Sequence, residues 1–126
     1  GTGEPQKAVM KLEVMGDVKE ATESGDGPVD AIFKCIKTLY PHDVNLQLYN
    51  VHAVTEGTDA QATVSVRIEE NGKTTVGQAA NTDTLVASAD AYLNALNKLI
   101  IKRKKTAPEP MDLSGSKYIR EKDGTI

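Results

Sequence analysis

The chain repeats itself. Shifted by 56 positions, Gly1-Thr2 falls on Gly57-Thr58, Lys11-Leu12-Glu13 on Arg67-Ile68-Glu69, Gly16 on Gly72 and Ala31 on Ala87, without a gap. Few of these are identities, so the pattern has to carry the repeat. Ala8, Met10 and Leu12 alternate with Lys7, Val9, Lys11 and Glu13, and Val64, Val66 and Ile68 alternate with Thr63, Ser65, Arg67 and Glu69. A period of two marks a strand with one buried face. Met15-Gly16-Asp17 and Asn71-Gly72 then supply turns, since their residues tolerate the positive φ of a tight hairpin. Second strands follow at about 18–23 and 74–79.

A helix closes each copy. Val29, Ile32, Phe33, Ile36, Leu39 and Tyr40 form one stripe of a 3.6-residue period, with Pro28 suited to the first turn because its missing NH would have no partner there. The second helix is expected at 84–101, with Leu85, Ala89, Tyr92, Leu93, Leu96 and Ile100 on its face and Asp83 as N-cap. Between the copies, residues 45–55 place Leu46, Leu48, Tyr49, Val51, Ala53 and Val54 on both faces of a strand, which predicts cover on two sides. The second unit therefore reads strand-strand-strand-helix, and the first begins where its leading strand should already have ended. The expected fold is α+β: two pseudo-repeated units (1–43, its first strand truncated, and 44–103), with two helices packed on small antiparallel sheets. Residues 104–126 read as a polar tail, ordered only through docking of Tyr118 and Ile119.

Composition narrows the function classes. Fifteen Lys and Arg against 18 Asp and Glu give a net charge of −3, without the basic excess that phosphate contacts to nucleic acid require. No apolar run reaches the roughly 18 residues of a membrane helix, so neither nucleic acid nor membrane is an expected partner. One cysteine, Cys35, rules out an internal disulfide and fits a reducing cytoplasm. With only His42 and His52 beside it, soft metal ligands are scarce. His42 and His52 read as surface or hydrogen-bonded histidines, and Cys35 as a small buried apolar group within a helix. The acids are dispersed, and no acid/base pair stands out. No catalytic site and no metal site is expected in this chain.

Gly25-Asp26-Gly27-Pro28 enters the first helix, where backbone NH groups lack intrahelical partners and favour an anion. It lacks the Gly-Lys-Ser/Thr ending of a phosphate loop, and a single carboxylate is the better guest. Asp30, in the same turn, either complements the helix dipole or faces an ammonium group. A loop offering both suits an amino acid. The basic run at 102–105 reads as a solvated helix end.

Three motifs in order carry a resemblance: Gly25-Asp26-Gly27-Pro28-Val29-Asp30-Ala31, the stretch Tyr49-Asn50-Val51-His52-Ala53-Val54-Thr55-Glu56-Gly57-Thr58-Asp59-Ala60-Gln61-Ala62, and Ala91-Tyr92-Leu93-Asn94-Ala95-Leu96-Asn97. Together they resemble the C-terminal allosteric domain of the 2-isopropylmalate synthases over about residues 1–103. The resemblance implies a pair of strand-strand-strand-helix units, pairing of two copies, and leucine bound where they meet. It implies a parent enzyme that joins acetyl-CoA to 2-oxoisovalerate on a metal-dependent barrel, so the divalent metal and acetyl-CoA belong to that barrel and no cofactor is expected here. The effector site it implies uses Gly25, Asp26, Gly27, Val29 and Asp30 from the turn, Leu46, Tyr49 and Ala53 from the next strand, and Ala60 and Ala62 from the one after. Ala80, Asn81 and Thr82 form the other wall, although this second turn lacks both glycines and the proline. Two further readings stay open: the isoleucine-binding domain of a citramalate synthase, and a dimerisation module without a ligand.

Overall fold

The computed structural model describes residues 6–54, 60–104 and 118–122. The chain runs β1 (Gln6–Val14), β2 (Asp17–Gly25), α1 (Pro28–Leu39), β3 (Asn45–Val54), β4 (Gln61–Glu70), β5 (Lys73–Asn81), α2 (Thr84–Lys104) and β6 (Ile119–Glu121). The 56-residue offset survives in three dimensions: β2 maps onto β5, and the start of α1 onto the start of α2. Both hairpins turn on a pair of positive φ values, 51° and 91° at Met15-Gly16 and 51° and 80° at Asn71-Gly72. Asp17 already belongs to β2. The matches Gly1-Thr2 and Gly57-Thr58 lie outside the described residues.

Two antiparallel sheets result, ordered β2-β1-β6 and β3-β4-β5. Helix α1 lies on β1 and β2, α2 on β4 and β5, and the helices touch each other. Met10, Leu12 and Val14 from β1, Ile32, Cys35 and Ile36 from α1, Val64, Val66 and Ile68 from β4, and Leu93, Leu96 and Leu99 from α2 form one continuous core. The alternating residues thus face the helices, as the period of two requires. Cys35 is fully buried, and burial pushes its thiol pKa up.

Helix α2 buries more than its expected stripe. Ala87, Ala91 and Ala95 are also fully buried, and a Cβ on Gly77 of β5 would come within 2.0 Å of the Ala91 carbonyl oxygen and 2.4 Å of the Ala95 nitrogen. Small residues on both sides let helix and strand backbones nearly touch. Its basic end is not simply solvated either. Lys102 donates to the Thr74 carbonyl, and Arg103 forms an ion pair with Glu70 and donates to the Tyr40 hydroxyl.

The third strand of the first sheet comes from the far end of the chain. Within the stretch read as a tail, β6 pairs antiparallel with β1, Val14 opposite Ile119 and Leu12 opposite Glu121. In the second sheet β3 pairs in the same sense with β4, Leu46 opposite Ile68 and Asn45 opposite Glu69. Under the repeat, Glu13 and Glu69 are equivalent. Asn45 donates to Glu69, and Arg120 forms an ion pair with Glu13, so β6 stands beside β1 where the beginning of β3 stands beside β4.

Cover on both faces of β3 is not realised within one chain. Leu46, Leu48 and Val51 are 47%, 44% and 41% exposed. Leu48, opposite Arg67, lies on the face turned away from the helices; for Leu46 and Val51 the physical reason is the width of the helix layer, since α2 sits over β4 and β5 and β3 is an edge strand beyond it.

Candidate functional site

The turn that opens α1 is built around a close approach. A Cβ on Gly25 would meet the Ala31 nitrogen at 2.5 Å and Asp30 Oδ2 at 2.6 Å, so only glycine lets the strand end abut the helix start. Asp30 Oδ2 accepts from the Asp26 NH at 2.9 Å and pairs with Lys34 Nζ at 3.2 Å. The Asp26 NH first, then the Lys34 ammonium, hold the Asp30 carboxyl below the usual carboxylate range. The ionised group therefore organises the turn itself, and remains accessible at its edge beside the half-buried Val29.

The two helix starts differ in how they are capped. Asp83 caps α2, its Oδ1 accepting from the Leu85 NH at 2.8 Å, and Asn81 Oδ1 accepts from the Asp83 NH at 2.8 Å. The position equivalent to Asp83 is Gly27, an extended N-cap (φ −156°) that makes no side-chain bond to α1. The second turn is satisfied by its own side chains. At the first, Gly27 supplies no such cap, and the Asp30 carboxylate bonds the Asp26 NH instead.

Tyr49 joins α1 to the second sheet. Its ring meets Phe33, one turn into α1 from Val29 and Asp30, edge-on at 5.9 Å between centroids, and its hydroxyl lies 2.7 Å from Ser88 Oγ on α2. Leu46 and Val51 flank Tyr49 on the same face of β3, and all three are left partly uncovered. Further along, Ala53, Ala62 and Asn81 are direct neighbours across β3, β4 and β5, at the sheet end beside the start of α2. Ala53 is placed by its backbone register, its side chain lying outside the described residues. Ala80, opposite Thr63, points to the other face from Ala62 and Asn81. Ala60 precedes β4 and Thr82 follows β5, both exposed.

Sequence reasoning passed over Phe33 and Ser88 as contributors to this region. Phe33 stands in the predicted stripe, but nothing in its spacing says that it meets β3. Among the described residues, no group of three His, Cys, Asp or Glu side chains is placed to hold a metal ion, and no helix is long and apolar enough to cross a membrane.

These features define a small α+β domain of two strand-and-helix repeats, with a bare apolar edge on β3 and one helix start that no side chain caps. The profile of the LeuA allosteric (dimerisation) domain matches residues 1–100, and the chain belongs to that family. It is 59% identical over 110 residues to a 2-isopropylmalate synthase of Caulobacter sp. (strain K31), covering 87% of this chain and 21% of that protein. It is 60% identical over 105 residues to one from Bradyrhizobium sp. (strain BTAi1 / ATCC BAA-1182), covering 83% and 20%. A third, from Rhodopseudomonas palustris (strain TIE-1), is 58% identical over 109 residues, covering 86% and 21%. The chain thus spans about one fifth of the length of the curated relatives it matches.

Proposed function

We propose that this domain is the feedback-regulatory part of a cytoplasmic 2-isopropylmalate synthase: two copies pair through the bare face of β3, and L-leucine binds beside that contact. Bound leucine then inhibits the condensation of acetyl-CoA with 2-oxoisovalerate on a metal-dependent catalytic barrel elsewhere in the longer protein. The observation that carries the reading is the Phe33–Tyr49 contact, which sets α1 against β3, the strand that leaves Leu46 and Val51 uncovered.

Magnitudes support a mixed site. Burying a leucine side chain contributes about 1.5–3 kcal/mol, whereas micromolar binding needs about 8 kcal/mol. The α1 NH groups, aided by the helix dipole, would hold the effector carboxylate, and the accessible Asp30 carboxylate would face its ammonium. The apolar face of β3 would take the branched side chain. A twofold pair repeats this patch, so two equivalent sites are biased together, and inhibition follows if leucine binds one arrangement of the pair more tightly than another.

Calorimetry with leucine, isoleucine and valine, run beside sedimentation analysis, tests the reading. Saturable heat with leucine in preference to the others, on a dimer, is expected. Preference for isoleucine would favour a citramalate synthase regulator. A dimer that binds none of the three would make this a pairing module alone.

A further inference from the structure

The C-terminal strand is held by a side chain that imitates a strand. Asn97, on α2 and almost fully buried, accepts from the Ile119 NH through Oδ1 at 2.8 Å and donates through Nδ2 to the Ile119 carbonyl at 2.7 Å. The same Nδ2 donates to the Leu93 carbonyl at 2.9 Å, which fixes the amide's orientation. An amide that satisfies both backbone groups of one residue reads an extended conformation whatever the sequence. On its other side the segment is bound by β1, where the Met15 NH donates to the Tyr118 carbonyl at 3.0 Å and the Lys122 NH to the Lys11 carbonyl at 3.2 Å. The Ile119 side chain is fully buried in the common core, and Arg120 pairs with Glu13.

The segment therefore touches both units at once, β1 of the first and α2 of the second. We propose that β1 and α2 together form a peptide-docking groove, and that residues 118–122 are its own detachable occupant, a strap that clamps the two units while docked. Three features favour detachment. Of the five residues only Ile119 is fully buried, with Tyr118 half-buried against the core, so two side chains supply the apolar surface that opposes the entropy of ordering the segment. A cleft of about 190 Å³ lies alongside, lined by Asp90, Leu93, Asn94, Ile119, Arg120 and Glu121, so the strap is incompletely packed against α2. Its pairing with β1 spans three residues, against nine between β1 and β2. The groove selects an extended peptide with a β-branched apolar residue followed by a cation, the first for the core pocket under Asn97 and the second for Glu13.

Two measurements on the 126-residue chain test this. In hydrogen exchange, the Ile119, Lys122 and Met15 amides should exchange at least tenfold faster than those of Val66 and Ile68 in β4. Equal rates would mean that the segment opens only with the whole domain, and would overturn the proposal. In the second, a synthetic peptide of residues 117–123 is titrated into the Ile119→Asp chain, whose own strap cannot dock. Saturable binding is expected there, at least tenfold tighter than to the unsubstituted chain. Failure of the peptide to bind the folded variant, or to restore folding if the variant is unfolded, would overturn the proposal.

Discussion

His42 Nε2 lies 2.6 Å from the Tyr92 hydroxyl, across the seam between the two units. The other ring nitrogen, Nδ1, is 2.6 Å from the Tyr40 carbonyl oxygen, which can only accept. The proton therefore sits on Nδ1, and Nε2 accepts from Tyr92. Burial first, then the Lys37 and Arg103 cations, lower the His42 pKa against the opposing influence of the Tyr40 carbonyl and Glu70. Burial likewise pushes the Tyr92 hydroxyl up to about 12, so it remains a donor over the whole working range.

Because the folded state prefers neutral His42, the unfolded state binds more protons between the depressed value and the ordinary histidine value of about 6.5. Stability from this group is complete above about pH 6.5 and declines as the pH falls toward the folded value. Melting temperature followed from pH 8 to pH 5 should drop in that window, and His42→Gln should flatten the drop. An unchanged pH profile in the variant would remove His42 as its source.

Removing the Tyr92 hydroxyl leaves Nε2 without its donor in a mostly enclosed site. Tyr92→Phe should cost about 1–3 kcal/mol in urea unfolding, the range for a buried polar atom that loses its partner. Phe33, its ring tilted by 34° to that of Tyr92 at 4.5 Å between centroids, should keep the ring in place, so circular dichroism should not change.

Gly77→Ala and Gly27→Asp should behave oppositely. At Gly77 a Cβ collides with the backbone of α2, so the helix must lift, with a loss of about 1–3 kcal/mol or more by chemical denaturation. At Gly27 a Cβ meets nothing within 4 Å and the extended φ suits any residue. An aspartate there reproduces the cap that Asp83 gives α2, and should raise stability by a few tenths of a kcal/mol. The same carboxylate would occupy the NH donors proposed for the effector. Leucine affinity should therefore fall at least tenfold while the melting temperature rises; unchanged affinity would place the effector carboxylate elsewhere.

Leu46→Lys with Val51→Glu should separate the copies. Both side chains are partly exposed in the single chain, so the unfolding free energy of the monomer should move by about 0.5 kcal/mol or less per site. Sedimentation should shift from dimer to monomer. A dimer that persists would place the contact on another face.

What the residues fixed by themselves were the local elements. The period-two runs, the glycine turns, Pro28, Asp83 and the apolar stripes are decided by neighbours a few positions away, and the 56-residue offset transferred the runs and hairpin turns to the second unit. The Gly25 turn was legible for the same reason, since a helix start and its glycines are local. The origin of the first sheet's third strand was not legible. Residues 119–121 are short and polar at two positions of three, and their pairing with β1 depends on Asn97 and Glu13, far away in sequence. A polar Asn97 one helical turn beyond Leu93, on the buried side of α2, was the available signal. The close contact of Gly77 with Ala91 and Ala95 was equally hidden, because a helix packs onto a strand wherever both are small, and spacing along one element does not name its partner. The bare side of β3 completes the contrast: its sequence demands cover, and only the packed structure shows that α2 is too narrow to supply it.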